Sequence, residues 1–177
     1  MSHTNHVFIM ITIKKLGYRL LLTGLLMPVG SAFSQTNTVK KIQNLNASDK
    51  VAYFNLEKGT EVSEADTAKT GWDISFQHTG IIVQGAAEGQ VVSDAAFDKI
   101  EKAPASGYKK GKQAIPWGSG NGWYTYNMDN HQITPIPGKV IIIHAASGKY
   151  YKLAIDSYYK DGPDGASGNY TFHYSAL

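Results

Sequence analysis

Residues 139–159, KVIIIHAASGKYYKLAIDSYY, decide the fold. Val140, Ile141, Ile142 and Ile143 are β-branched and stiff at χ1, which suits a pleated strand better than a helix. Beyond Ser147-Gly148, Tyr151, Leu153 and Ile155 alternate with Lys152, Ala154 and Asp156, the period of two that separates a buried face from a wetter one. Glycine accepts the positive φ of a tight turn. The stretch therefore predicts a β-hairpin near the centre of a sheet, turning on Ser147-Gly148. His144 would then face Tyr151 as a hydrogen-bonded core histidine.

Working outward, short runs of the same character recur: 51–56, then Trp72, Ile74 and Phe76 in alternation, then 81–83, 123–126 and 170–174. Turn-forming clusters rich in Gly, Asn and Asp separate them. Gly85 and Gly89 are expected to break the chain after 83, and Ser93 to cap one short helix or helical turn running to Ile100, before Ala103-Pro104. There is no repeat and no long amphipathic stretch. The fold class is all-β, mostly antiparallel sheet with that one short helix.

The first 34 residues read as a secretory signal peptide: Lys14, Lys15 and Arg19, a short apolar run over 20–29, then Ala32-Phe33-Ser34 before Gln35. Residues 35–50 are polar and read as a flexible leader, leaving 51–177 as a single β domain. Removing the signal takes three of the 17 basic residues and none of the 14 acids, so the exported chain is charge-balanced. Its only arginine goes with the signal, so no guanidinium fork is left for phosphate. Nucleic acid is disfavoured as a partner. The absence of cysteine excludes disulfides, thiolate metal sites and lipid attachment through cysteine. These features predict an exported protein, periplasmic, extracellular or at the cell surface of a Gram-negative bacterium, and not membrane-spanning once the signal is removed.

Enzyme chemistry finds little support. There is no G-x-S-x-G elbow, and the glycines of 118–122 lack the lysine and helix of a phosphate loop. Of four histidines beyond the signal, no two have close metal-ligand spacing. His173 reads as a surface residue. His78 and His131 differ, because each lies where a strand gives way to a turn, where an imidazole can reach a ligand without entering the core. Met128, the only methionine after the signal, shares the turn with His131. Imidazole and thioether are both competent haem-iron ligands.

The ordered set 71–76, 97–100 with Ala103-Pro104 and Gly107-Tyr108, 122–126, 131–136, 148–153 with Tyr158-Tyr159, and 170–174 resembles the HmuY family of haem-binding, haemophore-like proteins. The resemblance spans nearly the whole exported chain. It implies an all-β fold with a haem pocket at one end, non-covalent haem b, capture of haem outside the cell and no enzymatic activity. Partners would be haem and an outer-membrane haem transporter or a host haem protein. It implies an axial ligand shortly after the Trp-Asp-Ile-x-Phe strand, hence His78, with His131 or Met128 as the second. Tyr108, Trp123 and Tyr126 are candidates for the pocket wall. The alternative is a β-rich surface-interaction module of the same fold that ignores haem.

Overall fold

A computed structural model describes residues 38–177; the expected signal peptide lies outside the described residues. The elements are β1 (Lys40–Asn46), β2 (Ala52–Asn55), β3 (Thr60–Val62), β4 (Ile74–Gln77), β5 (Gly80–Val83), β6 (Glu88–Val92), β7 (Tyr124–Tyr126), β8 (Ile133–Pro135), β9 (Val140–His144), β10 (Tyr150–Tyr159) and β11 (Ser167–Ala176). Every pairing is antiparallel. One sheet has five strands in the order β1-β11-β10-β9-β6, a second has four in the order β3-β2-β4-β5, and β7 and β8 form a separate hairpin. The expected all-β class is borne out. Among the described residues, helix is limited to 3₁₀ turns such as Phe97–Lys99, and no helix is long and apolar enough to cross a membrane.

The two larger sheets pack face to face. Alternation sends Phe54, Ile74, Phe76, Ile81 and Val83 inward from one, and Ile141, Ile143, Leu153, Tyr170, Phe172 and Tyr174 inward from the other. Phe172 makes the join, 5.3 Å from the Phe76 ring and 5.4 Å from that of Phe54. Each such fully buried side chain contributes about 1.5–3 kcal/mol of transfer free energy. The opposite face of the five-stranded sheet is also covered. Lys152, itself buried, donates to the carbonyls of Phe97 and Ile100 at 2.8 and 2.9 Å and so ties the 97–100 segment down over Val140 and Ile142.

Several expectations are corrected. The 139–159 hairpin forms with β10 at the centre of its sheet, but His144 pairs with Tyr150, one residue off the expected register. The turn is built by Gly148 N–H donating to the Ala145 carbonyl, with Gly148 at φ +83°, so the glycine follows the turn rather than sitting inside a two-residue loop. His144 is half-buried and stacks flat on Tyr150 at 4.2 Å. Residues 40–46, expected within a flexible leader, are edge strand β1. Gly89 lies inside β6 rather than ending it, because a methyl there would sit 2.9 Å from Val83 and 3.2 Å from Ile143. Ser93 caps nothing. The 3₁₀ turn starts from Ala96, and Ser93 Oγ instead accepts from the Lys139 ammonium at 2.7 Å. Ser75 and Asp73 are buried, so the Trp72 run is covered on both faces rather than one.

Candidate functional site

His78 and Thr79 form the two-residue connection of the β4–β5 hairpin, between the paired Gln77 and Gly80. His78 is exposed and takes φ +48°, a region that disfavours residues with a Cβ. The turn is clamped from below. The buried Tyr170 hydroxyl donates to the His78 carbonyl at 2.7 Å, the Trp123 indole N–H donates to the Thr79 carbonyl at 3.1 Å, and the His78 amide donates to Ala47 at 2.8 Å. Burial raises the Tyr170 phenol well above its ordinary pKa, so it stays a neutral donor. The imidazole itself makes no hydrogen bond among the described residues.

The β7–β8 hairpin brings the second candidate to the same end. Tyr124 and Tyr126, two apart on β7, share a face. The Tyr124 hydroxyl lies 3.4 Å from Thr79 Oγ1, and the Tyr126 hydroxyl lies 2.5 Å from His131 Nδ1. His131 sits at φ +58° in the turn after Asn127–Asn130, whose Asn side chains bond their own backbone (Asp129 N–H to Asn127, Gln132 N–H to Asn130). When Nδ1–H donates to Tyr126, Nε2 presents a free lone pair, as a metal-ligating histidine requires. Met128, 75% exposed, rides the same turn.

Not every expected wall residue comes here. Trp123 is 2% exposed and packs on Tyr124, Tyr158 and Tyr170, so it supports the His78 turn from within the core. Tyr108 lies against His144 and Tyr150, at the opposite end of β10 from Tyr158 and Trp123. Ten residues of strand separate those ends by roughly 30 Å, so one ligand does not touch both. Trp117 and Tyr170 were not singled out in the sequence. A methyl at Gly80 would meet the Trp117 ring at 3.4 Å, so this 56% exposed indole overlies the hairpin that carries His78. Trp117, Tyr126 and Met128 are three of the four exposed large hydrophobics among the described residues; Trp117 lies over the His78 hairpin, Tyr126 contacts His131 and Met128 shares its turn.

The donor set fits a haem iron. No cluster of three or more His, Cys, Asp or Glu capable of holding a bare ion occurs among the described residues, whereas haem iron asks the protein for only one or two axial side chains. Exposed aromatic and thioether surface beside the imidazoles suits an apolar macrocycle.

Fold and site together define an antiparallel β protein that carries its candidate ligands on turns at one end. The HmuY protein family matches residues 47–174, and the chain belongs to that family. Solved structures similar to it include an apo HmuY analogue from Tannerella forsythia, 18% identical with TM-score 0.59, covering 80% of this chain and 95% of that one. Apo PinO from Porphyromonas gingivitis is 15% identical with TM-score 0.60, covering 80% and 98%. An HmuY-like heme-binding protein from Bacteroides vulgatus is 13% identical with TM-score 0.50, covering 78% and 90%. At these identities the likeness shows the fold. No curated protein matches the chain.

Proposed function

We propose that this protein binds haem non-covalently outside the cytoplasm, as a haemophore-like component of haem acquisition, with His78 and His131 as axial ligands. The carrying observation is conformational. Among the described residues five non-glycine residues hold positive φ, and three are Asn or Asp, which tolerate that region through local hydrogen bonds. The other two are the turn histidines, His78 and His131, at one end of the domain. Backbone strain retained at two imidazoles, beside exposed Trp117, Tyr126 and Met128, supports a ligand role rather than a packing one. Family membership supports haem as the ligand. When bound, haem would supply the iron; the protein orients the imidazoles and shields the macrocycle with aromatic surface. Export through the N-terminal signal, delivery to an outer-membrane transporter and uptake from a host haem protein belong to the same reading. No catalytic role is assigned.

Absorption titration of the purified protein with haemin tests it, repeated on His78→Ala, His131→Ala and Met128→Ala. A low-spin spectrum saturating near one equivalent, lost in both histidine variants and kept in Met128→Ala, is the expected result. Loss in Met128→Ala with His131→Ala unaffected would reassign the second ligand. Haem binding with no low-spin component would reject this ligand pair, and a spectrum no different from haemin with a non-binding control protein would sink the haem reading and leave a surface-interaction module of the same fold.

A further inference from the structure

The outer face of the five-stranded sheet carries a groove of about 740 Å³, roofed by residues 94–97 on one side and 134–140 on the other. Its walls include Phe97, Ile136, Pro137, Val140 and Ala154. One imidazole lines it: His173, whose Nδ1 lies 2.7 Å from Asp156 Oδ1 and whose ring meets the edge of Phe97 at 4.3 Å. This pairing is built by the backbone. Ile155 pairs with Phe172, but Ser157 pairs with Thr171, so Asp156 is the extra residue of a β-bulge. Bulges re-aim side chains, and this one sets the Asp156 carboxylate beside His173, which itself pairs with Ala154. Neither residue contributes to the site around His78 and His131.

A carboxylate holding Nδ1–H fixes the tautomer and orients the ring, leaving the Nε2 lone pair free. That arrangement suits coordination, yet the groove lacks the donors for a bare cation, since no third His, Cys, Asp or Glu completes a set among the described residues. The Lys41 ammonium, 3.8 Å from Asp156, also opposes a free divalent ion. Iron that arrives in a planar tetrapyrrole brings four nitrogens of its own and needs one imidazole. The volume lies within the range of small-molecule sites, the walls are mostly apolar with Asp94 and Thr134 among them, and Lys139 in the lining and Lys41 beside Asp156 suit peripheral carboxylates.

We propose that this groove is a second tetrapyrrole site, in which His173, positioned by Asp156, is the single axial ligand of a five-coordinate iron. The inference rests on the haem reading of the protein but not on the ligands assigned above. The test is a haemin titration of the variant His78→Ala/Met128→Ala/His131→Ala. About one equivalent should still bind, with a high-spin spectrum distinct from the low-spin form of the unmodified protein. Adding His173→Gln should abolish it, and so should Ala96→Trp, which adds bulk to the groove from an exposed position in its wall. Asp156→Asn should weaken binding about 10–100-fold and lower the iron–histidine stretching frequency of the reduced form. No residual binding in the triple variant, or residual binding indifferent to both His173→Gln and Ala96→Trp, overturns the proposal. In either case a low-spin spectrum dependent on His78 and His131 would leave the first site standing. Conversely, binding that depends on His173 alone would support the groove and reject the first ligand set.

Discussion

Replacing His78 by glycine should stabilise the protein that it disables. A residue with a Cβ in the left-handed region costs about 1–2 kcal/mol, and glycine returns about 0.5–1 kcal/mol of that through its greater chain entropy. The backbone hydrogen bonds that clamp the turn use the His78 amide and carbonyl and the Thr79 carbonyl, so they survive the change. The exposed imidazole has no partner among the described residues to lose. A net gain of about 0.5–1 kcal/mol follows, or about 1–4 °C in Tm for a domain of this size. At His131 the gain is smaller, because the contact with Tyr126 is lost. Asn44→Gly is the internal control. Its φ is equally positive at +55°, but its side chain donates to Asp161 Oδ1 at 2.7 Å and accepts from the Asp161 amide at 3.2 Å, so glycine there should destabilise. Urea unfolding of the apo protein, paired with haemin titration, gives both readouts. A loss of stability above about 1 kcal/mol in His78→Gly would show that the ring packs structurally. A gain in stability with low-spin haem binding unchanged would refute its assignment as a ligand.

Tyr126→Phe keeps the ring but leaves His131 Nδ1 without its partner, so haemin affinity should fall about tenfold while stability changes little; equal affinity in both proteins would remove Tyr126 from the argument. At the opposite end of the core, burial pushes the Tyr151 and Tyr174 phenols up to about 12. A phenol whose folded pKa exceeds its unfolded value stabilises fully below pH 10 and loses that contribution as pH rises through 12, so unfolding stability should decline across that window. The Tyr174 hydroxyl is buried without a hydrogen-bond partner, so Tyr174→Phe should be neutral or stabilising by up to about 1 kcal/mol at pH 7 and should flatten the alkaline decline; an unchanged alkaline slope would exclude it as a source.

The parts of the fold that could be read from sequence are those where period-two alternation runs unbroken. The β9–β10 hairpin announces itself through four β-branched residues and an alternating partner. The edge strand β1 does not, for a specific reason. Ile42 pairs with Phe172 and Leu45 with Tyr170, an irregular register that places its two apolar residues three apart, with Asn44 at positive φ between them. An alternation rule discards such a segment as polar leader. The one-residue slip at His144 has a related origin, because a glycine at positive φ after a turn and one within it leave the same local signature. In the candidate site, His78 and His131 were legible as turn residues. Trp117 and Tyr170 were not, since contacts such as Tyr170 to His78, 92 residues apart, have no local trace. His173 lies on the outer face as a surface residue, but its pairing with Asp156 left no trace in the sequence because only the bulge at Asp156 brings the two together.

Strand β11 links these observations. Its alternation sends Tyr170, Phe172 and Tyr174 into the core, where Tyr170 fixes the turn that presents His78. The opposite parity turns His173 into the outer groove. One strand thus supports both proposed sites from opposite faces of the sheet, with Phe172 packed between the sheets as a common anchor. Packed β structure resists continuous deformation, and among the described residues His173 bonds Asp156 while the His78 turn is held by Tyr170, with no hydrogen bond between the two. The free energies of substitutions at the two sites should therefore add within about 0.5 kcal/mol. Coupling well beyond that, measured in a double-mutant cycle of Tyr170→Phe with Asp156→Asn, would mean that the strand shifts as a body and that the two faces are not independent.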